Sequence, residues 1–89
     1  MTSKNKHHLI FSKAFNRVAR KLEGKYKEIL EKRLKEIANE PLTVGKELKG
    51  PFKEIRAARL NRRYRIFYKI PRECHVQLIN IYHREIAYK

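Results

Sequence analysis

Apolar and polar residues follow a helical period in the first half of the chain. Residues 8–11 have the pattern of a short strand, and Ser12 after them carries a side chain suited to cap a helix. Apolar residues then recur three or four positions apart across 15–22 and across 26–38, which is the spacing of one helix face. Pro41 is expected to end the second helix, because the residue before a proline resists the α conformation. This half predicts a strand and a two-helix hairpin.

The period changes after a stretch that contains glycine and proline. Residues 41–51 have the composition of a loop, and alternation predicts strands over 52–60, 64–70 and 76–83, with a turn at 71–73. Strands joined by short turns favour an antiparallel three-stranded meander. The expected fold is α+β: a short N-terminal strand, a two-helix hairpin and the meander. Both helices should pack on one sheet face and leave the other face partly solvated.

Alternation along the strands also predicts which side chains share the solvated face. The more apolar sets should face the helices, namely Tyr64, Ile66, Tyr68 and Ile70 in the second meander strand and Ile79, Ile81 and His83 in the third. The solvated set is then Arg65, Phe67, Lys69, Asn80, Tyr82 and Arg84. Guanidinium groups bind phosphates and aromatic rings stack on bases, so this face suits a single-stranded nucleic acid.

The charge balance points to a polyanionic partner. The 89 residues include 23 Lys and Arg against 9 Asp and Glu, for a net charge of +14. Nucleic acid, an acidic protein or an anionic membrane would each attract such a chain. The densest positive charge consists of Lys53, Arg56, Arg59, Arg62, Arg63 and Arg65, opposed by Glu54. Because this charge coincides with aromatic residues, phosphate binding is favoured over a merely solvated surface.

Several other classes of protein are disfavoured. The length fits one domain, residues 1–89. No apolar stretch approaches the roughly 20 residues that span a bilayer, and no secretory signal is recognisable, so a cytoplasmic location is expected. The single Cys74 excludes an intramolecular disulfide and a Cys-based zinc site. Without phosphate-binding glycine loops or acidic clusters, chemistry without metal or cofactor is expected. His83 could be a general acid or base, but its parity with Ile79 and Ile81 favours a buried or half-buried structural role.

Short motifs in the second half of the chain carry a resemblance to known proteins. They are Leu48-Lys49-Gly50, then Arg59-Leu60 before Tyr64-Arg65-Ile66-Phe67-Tyr68, then Ile81-Tyr82-His83-Arg84 and the closing Tyr88-Lys89. In this order and spacing they resemble the RelE/ParE superfamily of toxins, and most of all its archaeal RelE members. The predicted order of strand, two helices and meander is also the order of that superfamily, so the resemblance covers nearly the whole chain.

The resemblance implies a toxin of a type II toxin–antitoxin pair. Such RelE toxins cut messenger RNA in the ribosomal decoding site, as metal-independent endoribonucleases in which the 2′-hydroxyl of the RNA attacks the adjacent phosphate. The implied partners are the ribosome, the mRNA and an acidic antitoxin protein that masks the toxin surface. No membrane and no small-molecule cofactor are implied.

The resemblance also assigns roles to residues of this chain. Arg65 matches the arginine of a Tyr-Arg-x-x-Tyr strand that contacts the scissile phosphate. Arg84 matches the arginine at the end of the last strand, and Tyr88 matches a C-terminal tyrosine that is a candidate general base. Arg56 and Arg59 lie nearest to the lysines that some RelE toxins carry on the first meander strand. The residues expected to contact RNA are Lys49, Lys53, Arg56, Arg59, Arg62, Arg63, Lys69 and Tyr82.

Two alternative functions remain open at this stage. A ParE-like inhibitor of DNA gyrase would keep the fold and change the target, although the His83-Arg84 and Tyr88 ending argues against it. A non-catalytic basic protein that binds RNA or ribosomes would explain the net charge equally well. Inhibition of purified gyrase, or cleavage of a message on ribosomes, distinguishes the three functions.

Overall fold

The computed structural model describes residues 7–48, 50 and 54–83. Within these ranges the chain forms five strands and three helices. Their order is β1 (His8–Phe11), α1 (Lys13–Ala19), α2 (Lys25–Asn39), α3 (Pro41–Val44), β2 (Lys46–Glu47), β3 (Arg56–Arg59), β4 (Tyr64–Arg72) and β5 (His75–His83).

The strands form one sheet in the order β1-β5-β4-β3-β2. Neighbours from β2 to β5 are antiparallel, whereas β1 runs parallel to β5 and forms an edge of the sheet. The predicted α+β fold is confirmed: a short first strand and two main helices precede an antiparallel meander. The meander is extended by β2, which the sequence pattern did not predict.

The core lies between the helices and one face of the sheet. The helices contribute Phe15 from α1 and Leu30 and Ile37 from α2, all buried. The sheet contributes Ala58, Leu60, Ile66, Tyr68, Val76, Leu78 and Ile81. Packing of the helices on one face agrees with the prediction and leaves the opposite face, called the open face below, without a helix among the described elements.

Ser12 connects the first helix to the sheet. Its Oγ accepts a hydrogen bond from the backbone N–H of Phe15 at 3.0 Å, which confirms the predicted N-cap of α1. The same hydroxyl donates to the carbonyl oxygen of Ile79 at 2.6 Å. One side chain therefore satisfies a free helix amide and attaches α1 to β5.

The segment predicted as a loop contains two short elements. Pro41 ends α2, as predicted, but it also begins α3, since a proline at the first helical position needs no N–H donor. After this turn of helix, β2 pairs with β3 through Lys46 opposite Ala57 and Glu47 opposite Arg56. The loop prediction was therefore wrong for 41–44 and 46–47.

The strand limits also differ from the prediction. β3 occupies only Arg56–Arg59 rather than 52–60, and residues 52 and 53 lie outside the described residues. β4 continues through Pro71, so the turn falls at Glu73 and Cys74 instead of 71–73. Proline is tolerated there because the pairing of β3 with β4 extends only as far as Arg56 opposite Tyr68, and Pro71 lies beyond it.

A β-bulge in β5 changes which side chains reach the core. Asn80 pairs with Phe67 but Leu78 pairs with Tyr68, so Ile79 is an extra residue between them. An extra residue in one strand switches the faces to which the side chains beyond it point, relative to those before it. Leu78 is therefore fully buried and Ile79 only partly, which corrects the prediction that Ile79 faces the helices.

Candidate nucleic-acid interface

Three strands bring Tyr82, Arg65 and Arg59 into one row across the open face. Arg65 of β4 lies opposite Tyr82 of β5 on one side and opposite Arg59 of β3 on the other. Residues paired in this way point to the same side of a sheet, with Cβ atoms about 5 Å apart. The structure therefore confirms that Arg65 and Tyr82 share a face and adds Arg59 to them.

The pairing of Arg59 with Arg65 places two positive charges directly opposite each other. Like charges in this position repel and weaken a sheet. The Arg65 guanidinium is held in part by its Nη1, which donates to the carbonyl oxygens of Asn61 at 3.1 Å and of Tyr64 at 3.3 Å. Arg59 is exposed. An anion bound between the two groups, called the arginine pair below, would relieve their repulsion.

The arginine pair lies in a groove of about 640 Å³. Its described lining residues are Val44, Lys46, Glu47, Leu48, Ala57, Arg59 and Arg65. The groove thus runs from the arginine pair towards β2 and α3. Three of the four charged side chains in this set are cations, so the groove favours a negatively charged ligand.

The turn between β3 and β4 fixes the backbone from which the Arg65 side chain extends. Asn61 Oδ1 accepts hydrogen bonds from the backbone N–H groups of Arg63 at 2.8 Å and of Tyr64 at 2.9 Å. A side-chain oxygen that holds two backbone amides in this way fixes a tight turn. Arg62 and Arg63 are exposed at the tip of this turn and are not among the residues that line the groove.

An aromatic pair adjoins the arginine row on the open face. The rings of Phe67 and Tyr82 meet edge to face, with centroids 5.0 Å apart. Phe67 is 8 % exposed although it stands outside the main core cluster, and Tyr82 is half-buried. Phe67 therefore supports Tyr82 from one side, while part of the Tyr82 ring remains accessible for stacking on a base.

Arg56 does not lie with the arginine pair. Ala57 pairs with Phe67 on the open face, and alternation along β3 therefore places the preceding residue, Arg56, on the helix side of the sheet. Its Nε donates to the carbonyl oxygen of Gly45 at 3.2 Å and its Nη2 to that of Leu42 at 2.9 Å. The structure thus separates Arg56, which contacts α3 and the residue after it, from Arg59.

The remaining predicted site residues fall into two groups. Lys69 follows the alternation of Arg65 and Phe67, and it lines a separate depression with Arg56 and Glu54. The predicted residues Lys49, Lys53, Arg84 and Tyr88 lie outside the described residues. Their roles stay predictions.

His83 lies at the end of β5 opposite Tyr64, on the helix side of the sheet. The two rings meet edge to face with centroids 5.5 Å apart, and His83 is half-buried. This confirms the expected partial burial. The choice between a structural and an acid–base role for His83 stays a prediction.

Tyr68 is the buried polar residue that the site analysis from sequence did not single out. Its Oη donates to the carbonyl oxygen of Pro41 at 2.5 Å, and the side chain is fully buried. Burial raises the pKa of the Tyr68 hydroxyl above its usual value of 10.0, against the opposite influence of a hydrogen bond from Gly45 and of the Arg56 charge. The phenol is therefore neutral at physiological pH and acts as a donor.

Lys46 was also missed, because the only signal available was a Gly-Lys-Glu sequence in an apparent loop. A two-residue strand has no measurable alternation.

Across the described ranges, no three His, Cys, Asp or Glu side chains come together as a metal site would require. In the same ranges, no helix has the length and apolar character needed to cross a membrane.

Comparison with known proteins identifies the family. A family model described as the ParE toxin of the type II toxin–antitoxin system parDE matches residues 9–88. No curated protein matches the chain in sequence.

Solved structures share the fold. A chain of the RelBE2 toxin–antitoxin complex from Mycobacterium tuberculosis is 25 % identical, with a TM-score of 0.77 over 91 % of this chain and 94 % of that one. A double arginine mutant of E. coli RelE in the free state is also 25 % identical, with a TM-score of 0.72 over 92 % and 87 %. The archaeal RelE–RelB complex from Pyrococcus horikoshii matches in fold, at 15 % identity and a TM-score of 0.68 over 89 % and 96 %. The chain therefore belongs to the ParE toxin family of type II toxin–antitoxin systems, within the RelE/ParE superfamily.

Proposed function

We propose that this toxin is a ribosome-dependent endoribonuclease that cleaves mRNA at the arginine pair. The observation that carries the proposal is the register of β3 and β4, which sets Arg59 directly opposite Arg65 in a cationic groove beside Tyr82. Two guanidinium groups at paired positions of adjacent strands suit one phosphate group, and an adjacent aromatic ring suits the neighbouring base.

The reaction proposed is attack of a ribose 2′-hydroxyl on the adjacent phosphorus. A bond forms between the 2′-oxygen and phosphorus as the bond to the 5′-oxygen breaks, which leaves a 2′,3′-cyclic phosphate and a 5′-hydroxyl. The proton lost by the 2′-hydroxyl is balanced by one gained by the 5′-oxygen. Arg65 and Arg59 would stabilise the additional negative charge on the phosphate in the transition state. The resemblance assigns further roles to Arg84 and Tyr88.

A translation reaction with one defined message tests this proposal. We expect cleavage inside the coding region only when ribosomes are engaged, with a cyclic phosphate at the new 3′ end. Arg65→Ala should slow cleavage by about 10²- to 10³-fold, as expected for loss of one preorganised donor to a developing charge. Arg17→Ala serves as the control, because Arg17 is an exposed cation on α1, which packs on the opposite face. Equal cleavage by wild type and a folded Arg65→Ala variant would contradict the assignment.

Inhibition of DNA gyrase is the second candidate function, and the ParE description of the matching family model favours it. Intact message together with inhibition of supercoiling by purified gyrase would select this function. Salt-sensitive RNA binding with neither effect would select a non-catalytic RNA-binding protein.

An acidic antitoxin is the partner proposed for either toxin activity. Similar structures were solved as toxin–antitoxin complexes, and the net charge of +14 favours an acidic segment that folds on binding. Co-expression with the product of the adjacent gene should neutralise the toxin and yield a stable complex. An adjacent product that neither binds nor neutralises would contradict this pairing.

A further inference from the structure

We infer that Arg56 and Tyr68 are positioning residues, which fix one wall of the groove without contacting its ligand. The wall consists of residues 41–48, called the wall segment below. It comprises α3 and β2 and supplies Val44, Lys46, Glu47 and Leu48 to the groove. The inference rests on the proposed function in one respect: it assumes that the ligand of this groove is RNA.

The β2 part of the wall segment has little attachment of its own, whereas α3 packs on the core through Val44. β2 has only two residues, both exposed, and it pairs on one side with β3. One further backbone hydrogen bond joins Leu48 N–H to the carbonyl oxygen of Ile55 at 2.9 Å. Short edge strands of this kind open easily unless side chains hold them in place.

Tyr68 supplies the first such attachment from beneath the wall segment. It stands fully buried in β4, and its hydroxyl donates to Pro41 at the first residue of α3. Gly45 packs directly on the ring: a Cβ at this position would come into collision with the phenol oxygen and within 2.8 Å of two ring carbons. The backbone at both ends of α3 is therefore in contact with one side chain.

Arg56 supplies the second attachment. Two of its guanidinium nitrogens donate to carbonyl oxygens: one to Leu42, the second residue of α3, and one to Gly45, which follows α3. Carbonyl groups at a helix end lack intrahelical partners, and a cation is favourable there. Arg56 and Tyr68 are also register partners across β3 and β4, so the two attachments act from adjacent positions.

Amide hydrogen exchange tests the positioning role without reference to activity. Tyr68→Phe keeps the ring and removes only the hydroxyl, and Arg56→Lys keeps the charge but cannot reproduce the paired guanidinium donors. Each variant should speed exchange of the Leu48 amide by about tenfold, while amides of β5 keep their wild-type rates. Arg59→Ala, which changes the groove and not the wall attachment, is the matched control and should leave Leu48 exchange unchanged. Wild-type exchange of Leu48 in both variants would overturn the inference.

A double-mutant cycle separates positioning from a general loss of stability. The readout is the Kd for a single-stranded 2′-O-methyl RNA, which binds but cannot be cleaved. Lys46→Ala should weaken binding several-fold in the wild-type background and have little further effect in the Tyr68→Phe background, because the wall carrying Lys46 is already displaced. Since Tyr68→Phe removes no charge, a weaker Kd cannot arise from a lost phosphate contact.

The outcomes of the cycle are distinct from failure of the proposed function. Independent effects of Lys46→Ala and Tyr68→Phe on Kd would overturn the positioning role. Faster exchange and coupled effects on Kd in a protein that never cleaves mRNA would uphold the positioning role and contradict the ribonuclease.

Discussion

Gly45 is required for space rather than for backbone conformation. Its φ of −103° and ψ of 155° are open to any residue. The nearest atoms to an added Cβ are nevertheless the hydroxyl oxygen and two ring carbons of buried Tyr68. A fully buried ring cannot move aside without disturbing its own neighbours.

Gly45→Ala should therefore destabilise the protein by about 1–3 kcal/mol, the usual cost of overpacking a core. The measurement is urea unfolding followed by circular dichroism. Thr43→Ala, two residues earlier at an exposed position of α3, is the control and should change the free energy of unfolding by less than about 0.5 kcal/mol. If both variants unfold at the same urea concentration, the close approach of Gly45 to Tyr68 is not a constraint on stability.

Ionisation of Tyr68 links the same contact to alkaline pH. The pKa of its hydroxyl is raised in the folded state relative to 10.0, so folding favours the neutral phenol. This stability is present in full below about pH 10 and is lost as pH rises towards the folded-state pKa.

In the Tyr68→Phe variant, the free energy of unfolding should consequently depend less on pH above pH 10. We expect the wild type to lose more unfolding free energy than the variant between pH 10 and pH 11, within the limit of about 1.4 kcal/mol per pH unit for one proton. Urea unfolding of both proteins at pH 10 and pH 11 measures this difference. Near pH 8 the free energies of unfolding of the two proteins should change with pH in the same way. Equal losses of unfolding free energy by the wild type and the variant above pH 10 would show that Tyr68 does not titrate in this way.

At the residue scale, alternation predicted the open face of β4 correctly and could not place Arg56. Arg65 stands between the apolar residues Tyr64 and Ile66 in a long strand, so its side of the sheet could be predicted from the sequence. β3 has four residues with two alanines at its centre, and alanine fits either face. The donors of Arg56 and its partners on α3 therefore required the three-dimensional structure.

Ser12 shows how elements are joined in this fold. Its hydroxyl caps α1 and bonds to Ile79, the extra residue of the β5 bulge. A bulge leaves a residue outside the regular ladder, so its carbonyl oxygen is open to a side-chain donor. The cap and the bulge thus stabilise each other.

Ser12→Ala should cost about 1–2 kcal/mol in the free energy of unfolding, because it removes a helix cap and a buried partner for a carbonyl. Ser12→Thr retains both hydrogen-bonding capacities and should stay within about 0.5 kcal/mol of wild type. Thermal or urea unfolding of the three proteins tests this. If Ser12→Thr lowers the free energy of unfolding as much as Ser12→Ala does, the loss of stability does not come from removal of the hydroxyl.

The longest elements were the ones that the sequence predicted most directly. α2, β4 and β5 have 15, 9 and 9 residues, enough for a period to be recognised. α3 and β2 have 4 and 2 residues and show no period at all. The bulge in β5 was equally hidden, because Leu78 and Ile79 are both apolar and either could face the core.

At the scale of the whole molecule, the positive charge acts on any polyanion, whereas in the proposed function the groove selects where RNA contacts are made. Binding of RNA should weaken steeply with salt, since each phosphate contact releases counterions. The net charge of +14 alone does not identify which cations are used.

Arg59→Ala should lower the slope of log K against log salt by about 0.7 to 1, the contribution of one phosphate contact. Arg17→Ala on α1 removes the same charge from the protein and should leave the slope unchanged. Titrations of a single-stranded RNA at several salt concentrations give both slopes. Equal reductions in the two variants would mean that RNA is held by the overall charge and not by the open face.

The superfamily could be predicted from the sequence in part because two of its motifs, residues 64–68 and 81–83, lie on β4 and β5, whose spacing is fixed by a short hairpin. The groove could not, since its walls come from α3, β2 and β3, which are joined only in the folded sheet.

The order of strands in the sheet has a consequence for synthesis of the toxin. β1 pairs with β5 across a separation of 67 residues, as does Ser12 with Ile79. At about 5–20 residues per second, roughly 3–13 s pass between the synthesis of the two partners. During that interval Phe11 of β1 and Phe15 of α1 have no β5 to pack against. The ribosome making this chain therefore completes β5 before α1 can pack against that strand, so this part of the core forms only after β5 has been made.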